Sequence, residues 1–214
     1  MDKKKLILGA EFLALCVALP TVVIAYRLGG YMFSFLWAAT LYCAIIDRFF
    51  LFQTFKDMWR WDAVNWKNMK PLLLRWILAV IGMYFFTKWY VPERLFYLSE
   101  NRPEIIPRIM IFYPLLSALP QEYIFCRFFF ARYKPFFGGG WLMMIMSAIV
   151  FAYAHVLFIN PVAPILGFIA GLIFAHTYWK TKSLALVAIE HSLYGNAIFV
   201  IGLGYYFYSG GIPG

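Results

Sequence analysis

Seven stretches of about 20 mostly apolar residues follow one another along the chain, at residues 6–27, 31–52, 71–91, 109–131, 141–159, 164–179 and 183–208. A helix needs about that length to cross the hydrocarbon core of a bilayer. It is also one of only two structures that satisfy their own backbone hydrogen bonds there. Seven such runs in 214 residues cannot all be hidden inside a water-soluble fold. Charged residues make up 14% of the chain, against about a quarter in soluble domains. The expected fold is therefore an all-α polytopic transmembrane bundle of about seven spanning helices, forming a single domain over residues 1–214. No internal repeat or low-complexity segment interrupts it. The sixth run is the shortest, and Gly167 and Gly171 within it form a small-xxx-small pair suited to close helix packing.

The segments between the runs carry an orienting signal. If the N-terminus is cytoplasmic, the inside segments hold Lys3, Lys4, Lys5, Arg48, Lys56, Arg60, Lys67, Lys70, Arg75, Arg127, Arg132, Lys134, Lys180 and Lys182, and the outside ones only Arg27, Lys88, Arg94, Arg102 and Arg108. The positive-inside rule then puts the N-terminus in and the C-terminus out, and points to an inner (plasma) membrane. The same rule, with anionic headgroups, accounts for the net charge of +9 without nucleic acid. The first apolar run follows the lysines without a clear cleavage site and is expected to be retained as a helix. Residues 55–70 are too polar to span. Met58, Trp59, Trp61, Val64, Trp66 and Met69 there suit one face of an interfacial amphipathic helix. Residues 91–107 hold three prolines and are expected as an outer loop. Cys16, Cys43 and Cys126 all lie in apolar runs and are expected as free, buried thiols.

Ionisable groups inside a bilayer are costly, roughly 2.5–3.5 kcal/mol each at a helix centre, and so point to function. This chain places Glu11, Glu122, His155, His176, Glu190 and His191 within its apolar runs, and Asp47 near the end of one. At about 1.5 Å per residue, Glu122 lies on the order of 15 Å from the cytoplasmic side, His191 about 13 Å and His155 about 20 Å. Those depths are compatible with one shared layer on three helices. A carboxylate and two imidazoles meeting in lipid can activate water, relay protons or hold a metal such as zinc. Glu11 and Asp47 suit structural pairs with basic neighbours such as Arg48. His176 suits a structural or interfacial role, Glu190 a structural pair with His191, and Arg127 a snorkelling position at the inner headgroups.

The order of these residues also matches a known pattern. Pro120-Gln121-Glu122-Tyr123-Ile124-Phe125-Cys126-Arg127 resembles the first motif, EExxxR, of the CAAX protease and bacteriocin-processing (CPBP, or Abi) family of intramembrane proteases. Phe151-Ala152-Tyr153-Ala154-His155 is similar to its second, FxxxH, and His191-Ser192-Leu193-Tyr194-Gly195-Asn196 to its third, HxxxN. The resemblance covers a core at residues 115–204. It implies peptide hydrolysis in the bilayer by a water activated by Glu122 and His155. His191 and Asn196 would stabilise the oxyanion, and Gln121 and Arg127 would support the site. It also implies a membrane-associated or prenylated substrate, and needs no metal. If a divalent ion such as zinc is used, Glu122, His155 and His191 are the candidate ligands.

Three positions depart from the pattern. Gln121 stands at the first glutamate, and an amide cannot act as a base. Cys126 stands at the arginine, with Arg127 one residue late. Gly195 stands at the asparagine, with Asn196 one residue late. Two other readings follow. One is a family member that has lost catalysis and serves as a membrane immunity or scaffold protein. The other is a proton-coupled transporter using the intramembrane Glu and His, although no inverted repeat supports it.

Overall fold

The computed structural model describes residues 3–51 and 54–207, so the expected run ends at Phe52 and Tyr208 lie outside the described residues. Among the described residues there is no strand. Among the described residues seven helices are long and apolar enough to cross a membrane: Lys5–Ala25, Leu28–Phe49, Trp66–Tyr90, Pro103–Arg132, Trp141–Phe158, Val162–Thr181 and Leu184–Ile201, numbered here as spans 1 to 7. The chain is an all-α polytopic bundle and an integral membrane protein.

Burial separates the centre of the bundle from its rim. In the most apolar 18 residues of each span, 56% of span 7 is buried but only 6% of span 2. Span 7 is thus the axis around which the others pack. On span 3, Leu74, Ile77, Leu78, Ile81 and Phe85 are all exposed. Their spacing forms one apolar stripe turned outward, the reverse of a soluble amphipathic helix. Trp66 and Trp89, at opposite ends of that span, are also exposed, where indoles sit at the two headgroup levels.

The segment 55–70 differs from the expected single interfacial helix. Phe55–Trp59 forms one short helix and Trp61–Ala63 a 3-10 turn, with Arg60 between them in the left-handed region at φ 46°. Asn65 then caps span 3 by accepting a hydrogen bond from the Asn68 backbone N–H at 3.2 Å. The cap satisfies an otherwise unpaired donor, so helix starts at Trp66 and the polar residues up to Lys70 become the first turn of a span. Residues 91–107 do form a connection of short turns, with a helix at Tyr97–Asn101. Its Phe96 N–H bonds the Ile201 carbonyl at 3.0 Å, fastening it to the end of span 7. Gly202 closes that end at φ 113°, where a Cβ would meet the Arg94 carbonyl oxygen at 1.9 Å.

Spans 5 and 6 form the most extensively packed pair, and the two glycines of span 6 are the reason. A Cβ on Gly171 would lie 3.0 Å from the Ala148 Cα and 3.3 Å from the Phe151 ring. Replacing Gly171 with valine should therefore push the spans apart, lowering stability by about 1–3 kcal/mol as for other overpacked cores. Thermal unfolding in detergent measures this, and a midpoint equal to wild type would contradict the close approach.

The buried charges are paired between spans. Glu11 receives both Arg132 Nε and an Arg132 terminal nitrogen, at 2.8 and 2.7 Å. Asp47 receives Arg127 at 2.7 Å on one oxygen and the Tyr123 hydroxyl at 2.9 Å on the other. Glu190 receives Arg75 at 2.8 Å. These differ from the sequence expectations. Asp47 and Glu11 do not use Arg48, and Arg127, 2% exposed along its side chain, does not snorkel. Adjacent residues on a helix face different ways, so Glu190 pairs across to span 3 rather than with His191. The cysteines are free and buried as expected.

Candidate active site

Span 4 is not a uniform α-helix. Two π-helical stretches, Pro114–Ala118 and Tyr123–Phe128, flank the short α-helical piece Leu119–Glu122. Pro114 and Pro120 each lack the N–H that would close a regular turn. Such wide turns inside helices occur often at functional sites. Here they set the direction of Glu122, whose side chain is 1% exposed and points at span 7.

On span 7, His191 meets it. Nδ1 of His191 lies 2.7 Å from Glu122 Oε1, and Nε2 lies 2.9 Å from the Tyr113 hydroxyl. With Glu122 ionised, Nδ1 is the donor and the ring's second nitrogen faces Tyr113. Phe174 stacks on the imidazole at 4.5 Å with 19° between planes, fixing its tilt. The result is a chain of three groups, Glu122, His191 and Tyr113, held between spans 4 and 7.

His155 ends the regular helix of span 5. Its Nδ1 lies 2.7 Å from the Phe151 carbonyl oxygen. A carbonyl only accepts, so Nδ1 carries the hydrogen and Nε2 of the neutral ring carries the lone pair. The glycine at 167 makes room, since a Cβ there would lie 3.3 Å from the His155 Cγ. The Phe151 ring sits between the two histidines, 4.5 Å from His155 and 5.7 Å from His191.

Both histidines and Tyr113 line one cavity of about 780 Å³ between spans 1 and 2 on one side and spans 4 to 7 on the other. Its wall is overwhelmingly apolar. Gln121 also lines it, with Nε2 donating to Ser117 Oγ at 2.8 Å. Glu122 stands behind His191 and is not among the lining residues. Near one end of the cavity the lining includes Arg94, Arg102 and Arg108.

Two residues expected at the site lie elsewhere. Arg127 is occupied by Asp47. Asn196 lines a separate cavity of about 540 Å³ with Trp76 and Val80, and its Oδ1 is buried without a hydrogen-bond partner. One residue after Gly195 on an α-helix is a rotation of about 100°, enough to carry the amide out of the His191 cavity. His176 packs its ring near Trp179, 6.2 Å away, outside the site.

A metal does not fit the side chains as they stand. Among the described residues no three His, Cys, Asp or Glu groups are arranged to hold an ion. Glu122 Oε1 and both nitrogens of His191 are already engaged with each other and with Tyr113.

Sequence reasoning missed Tyr113. It precedes Glu122 by nine residues, which on a regular α-helix is about 180° away. The π-helical stretch at Pro114–Ala118 between them changes that register. Only the two prolines hinted at it.

No curated protein and no solved structure matches the chain. Residues 103–197 match the family model described as type II CAAX prenyl endopeptidase Rce1-like. That stretch runs from the start of span 4 to span 7 and contains Tyr113, Glu122, His155 and His191. By this match, and in agreement with the three CPBP-like motifs, residues 103–197 of the chain are similar to the Rce1-like family of CAAX-type intramembrane proteases.

Proposed function

We propose that the chain is an intramembrane endopeptidase that hydrolyses a peptide bond near the C-terminus of a membrane-associated or prenylated substrate. The observation that carries this is the meeting of His155 and the Glu122–His191 pair at one large apolar cavity. The lone pair on His155 Nε2 takes a proton from water as the water oxygen bonds to the scissile carbonyl carbon. The carbonyl π pair moves onto its oxygen. When that pair returns, the C–N bond breaks and the amine takes the proton from His155. Glu122 acts through His191, holding its ring in place, rather than as the base itself. The apolar wall suits a lipid chain or an apolar peptide.

The arginines suit the other end of such a substrate. Arg94 lies 4.0 Å over the Tyr205 ring, and Phe207, two residues on, is 5.8 Å from His155. An extended three-residue tail spans roughly 10 Å, and its carboxylate would be met by the arginines that line the same cavity as His155. On the positive-inside reading the N-terminus is cytoplasmic in an inner (plasma) membrane, and these arginines lie toward the opposite face.

The test uses purified protein in detergent with a farnesylated peptide. Expected are release of the C-terminal fragment, an unchanged rate after chelation, and at least about a tenfold loss of kcat/KM when the peptide's C-terminus is amidated, as for loss of a charge-assisted contact. The second reading is a member that binds without cutting. It is favoured by Gln121 and by Asn196 facing another cavity. On that reading wild type is inert and Gln121→Glu gains activity, whereas cleavage by wild type removes it.

A further inference from the structure

We propose that the Tyr113 hydroxyl is the donor that stabilises the oxyanion of the tetrahedral intermediate, a role that rests on the protease reading above. Tyr113 lines the cavity, and its hydroxyl is 2.9 Å from His191 Nε2. The position is built into two spans. A Cβ on Gly195 would lie 2.0 Å from the Tyr113 ring, so only a glycine on that turn of span 7 lets the phenol reach the histidine. Phe199, one turn further, holds the ring edge-to-face at 5.5 Å. The position four residues after His191, open on the helix, is filled by a side chain arriving from span 4. The amide that follows it, Asn196, faces away.

The chemistry follows from the donors available. A phenol has one hydrogen to give and oxygen lone pairs to accept with. With Nδ1–H of His191 given to Glu122, the phenol donates its hydrogen to the Nε2 lone pair. Rotation of the hydroxyl about its C–O bond turns that hydrogen into the cavity. As water adds to the peptide carbonyl, the π pair becomes a lone pair on oxygen. Tyr113 donates a hydrogen bond to that oxygen without transferring its proton. When the pair returns and the C–N bond breaks, the hydrogen bond weakens again. A donor fixed by packing in a low-dielectric cavity needs little reorganisation, which is where such stabilisation is strongest.

Tyr113→Phe keeps the ring against Gly195 and Phe199 and removes only the oxygen. Expected is a fall in kcat of roughly 10²–10³-fold with KM within about twofold, which marks an interaction made only in the transition state. The variant's affinity for a peptide aldehyde, whose hydrate mimics the tetrahedral intermediate, should fall by a similar factor. Its melting midpoint in detergent should stay within a few degrees of wild type. An active wild type with an equally active Tyr113→Phe form overturns this role and leaves the protease reading intact. A wild type that does not cleave removes both, so the wild-type measurement tells the two failures apart.

Discussion

Changing His155 to alanine is expected to lower kcat by about 10²–10⁴-fold, the range for loss of a positioned general base. His155 Nδ1 is committed to the Phe151 carbonyl, so Nε2 is the ring's basic nitrogen. No second histidine replaces it, because both nitrogens of His191 are engaged by Glu122 and Tyr113. His155→Asn is the sharper variant. Its amide can still donate to the Phe151 carbonyl, so the local fold is kept while the base is lost. Both variants should bind a farnesylated peptide about as well as wild type, since the apolar wall is untouched. Cleavage by His155→Asn at the wild-type rate would falsify the assignment of the base.

The largest effect on stability is expected from Arg127→Met. Arg127 and Asp47 are 2% and 9% exposed along their side chains. Removing the guanidinium leaves the Asp47 carboxylate buried, with the Tyr123 hydroxyl as its one remaining hydrogen-bond partner among the described residues. Breaking a buried ion pair from one side costs about 3–5 kcal/mol, because the remaining charge is uncompensated. In detergent the variant should unfold at a clearly lower temperature and elute partly as aggregate. The double variant Asp47→Asn/Arg127→Met should recover most of the loss, since a neutral pair carries little desolvation penalty. Equal stability of wild type and Arg127→Met would mean that water reaches this pair. The same pair explains why Arg127 is absent from the active site although it lies five residues from Glu122.

Particular residues show how far the sequence reaches. The seven apolar runs predict the seven spans closely, with differences at their ends. Span 3 begins at Trp66 rather than residue 71, because the Asn65 cap decides where helix starts and hydropathy does not register caps. Span 6 extends to Val162–Thr181, two residues beyond the expected run at each end. Glu122, His155 and His191 are legible as residues too costly to bury without purpose. Tyr113 is not, because tyrosine is common here, with 15 in the chain, and carries no burial penalty that marks it. Nor are the partners of the buried acids. Asp47 and Arg127 are 80 residues apart, and Glu190 and Arg75 are 115 apart.

The amino-acid order alone determined that this chain is a bundle of membrane helices and which ionisable groups lie within them. Hydrocarbon admits no unpaired backbone, so long apolar runs must be helical whatever their neighbours. How each helix is turned about its own axis was decided only by the tertiary structure. That rotation sends Asn196 to one cavity and His191 to another, and brings Tyr113 across to fill the space over Gly195. It follows from the wide turns at Pro114–Ala118 and Tyr123–Phe128 and from close contact at single glycines. Both are properties of helices fitted against one another, which spacing along one helix does not encode.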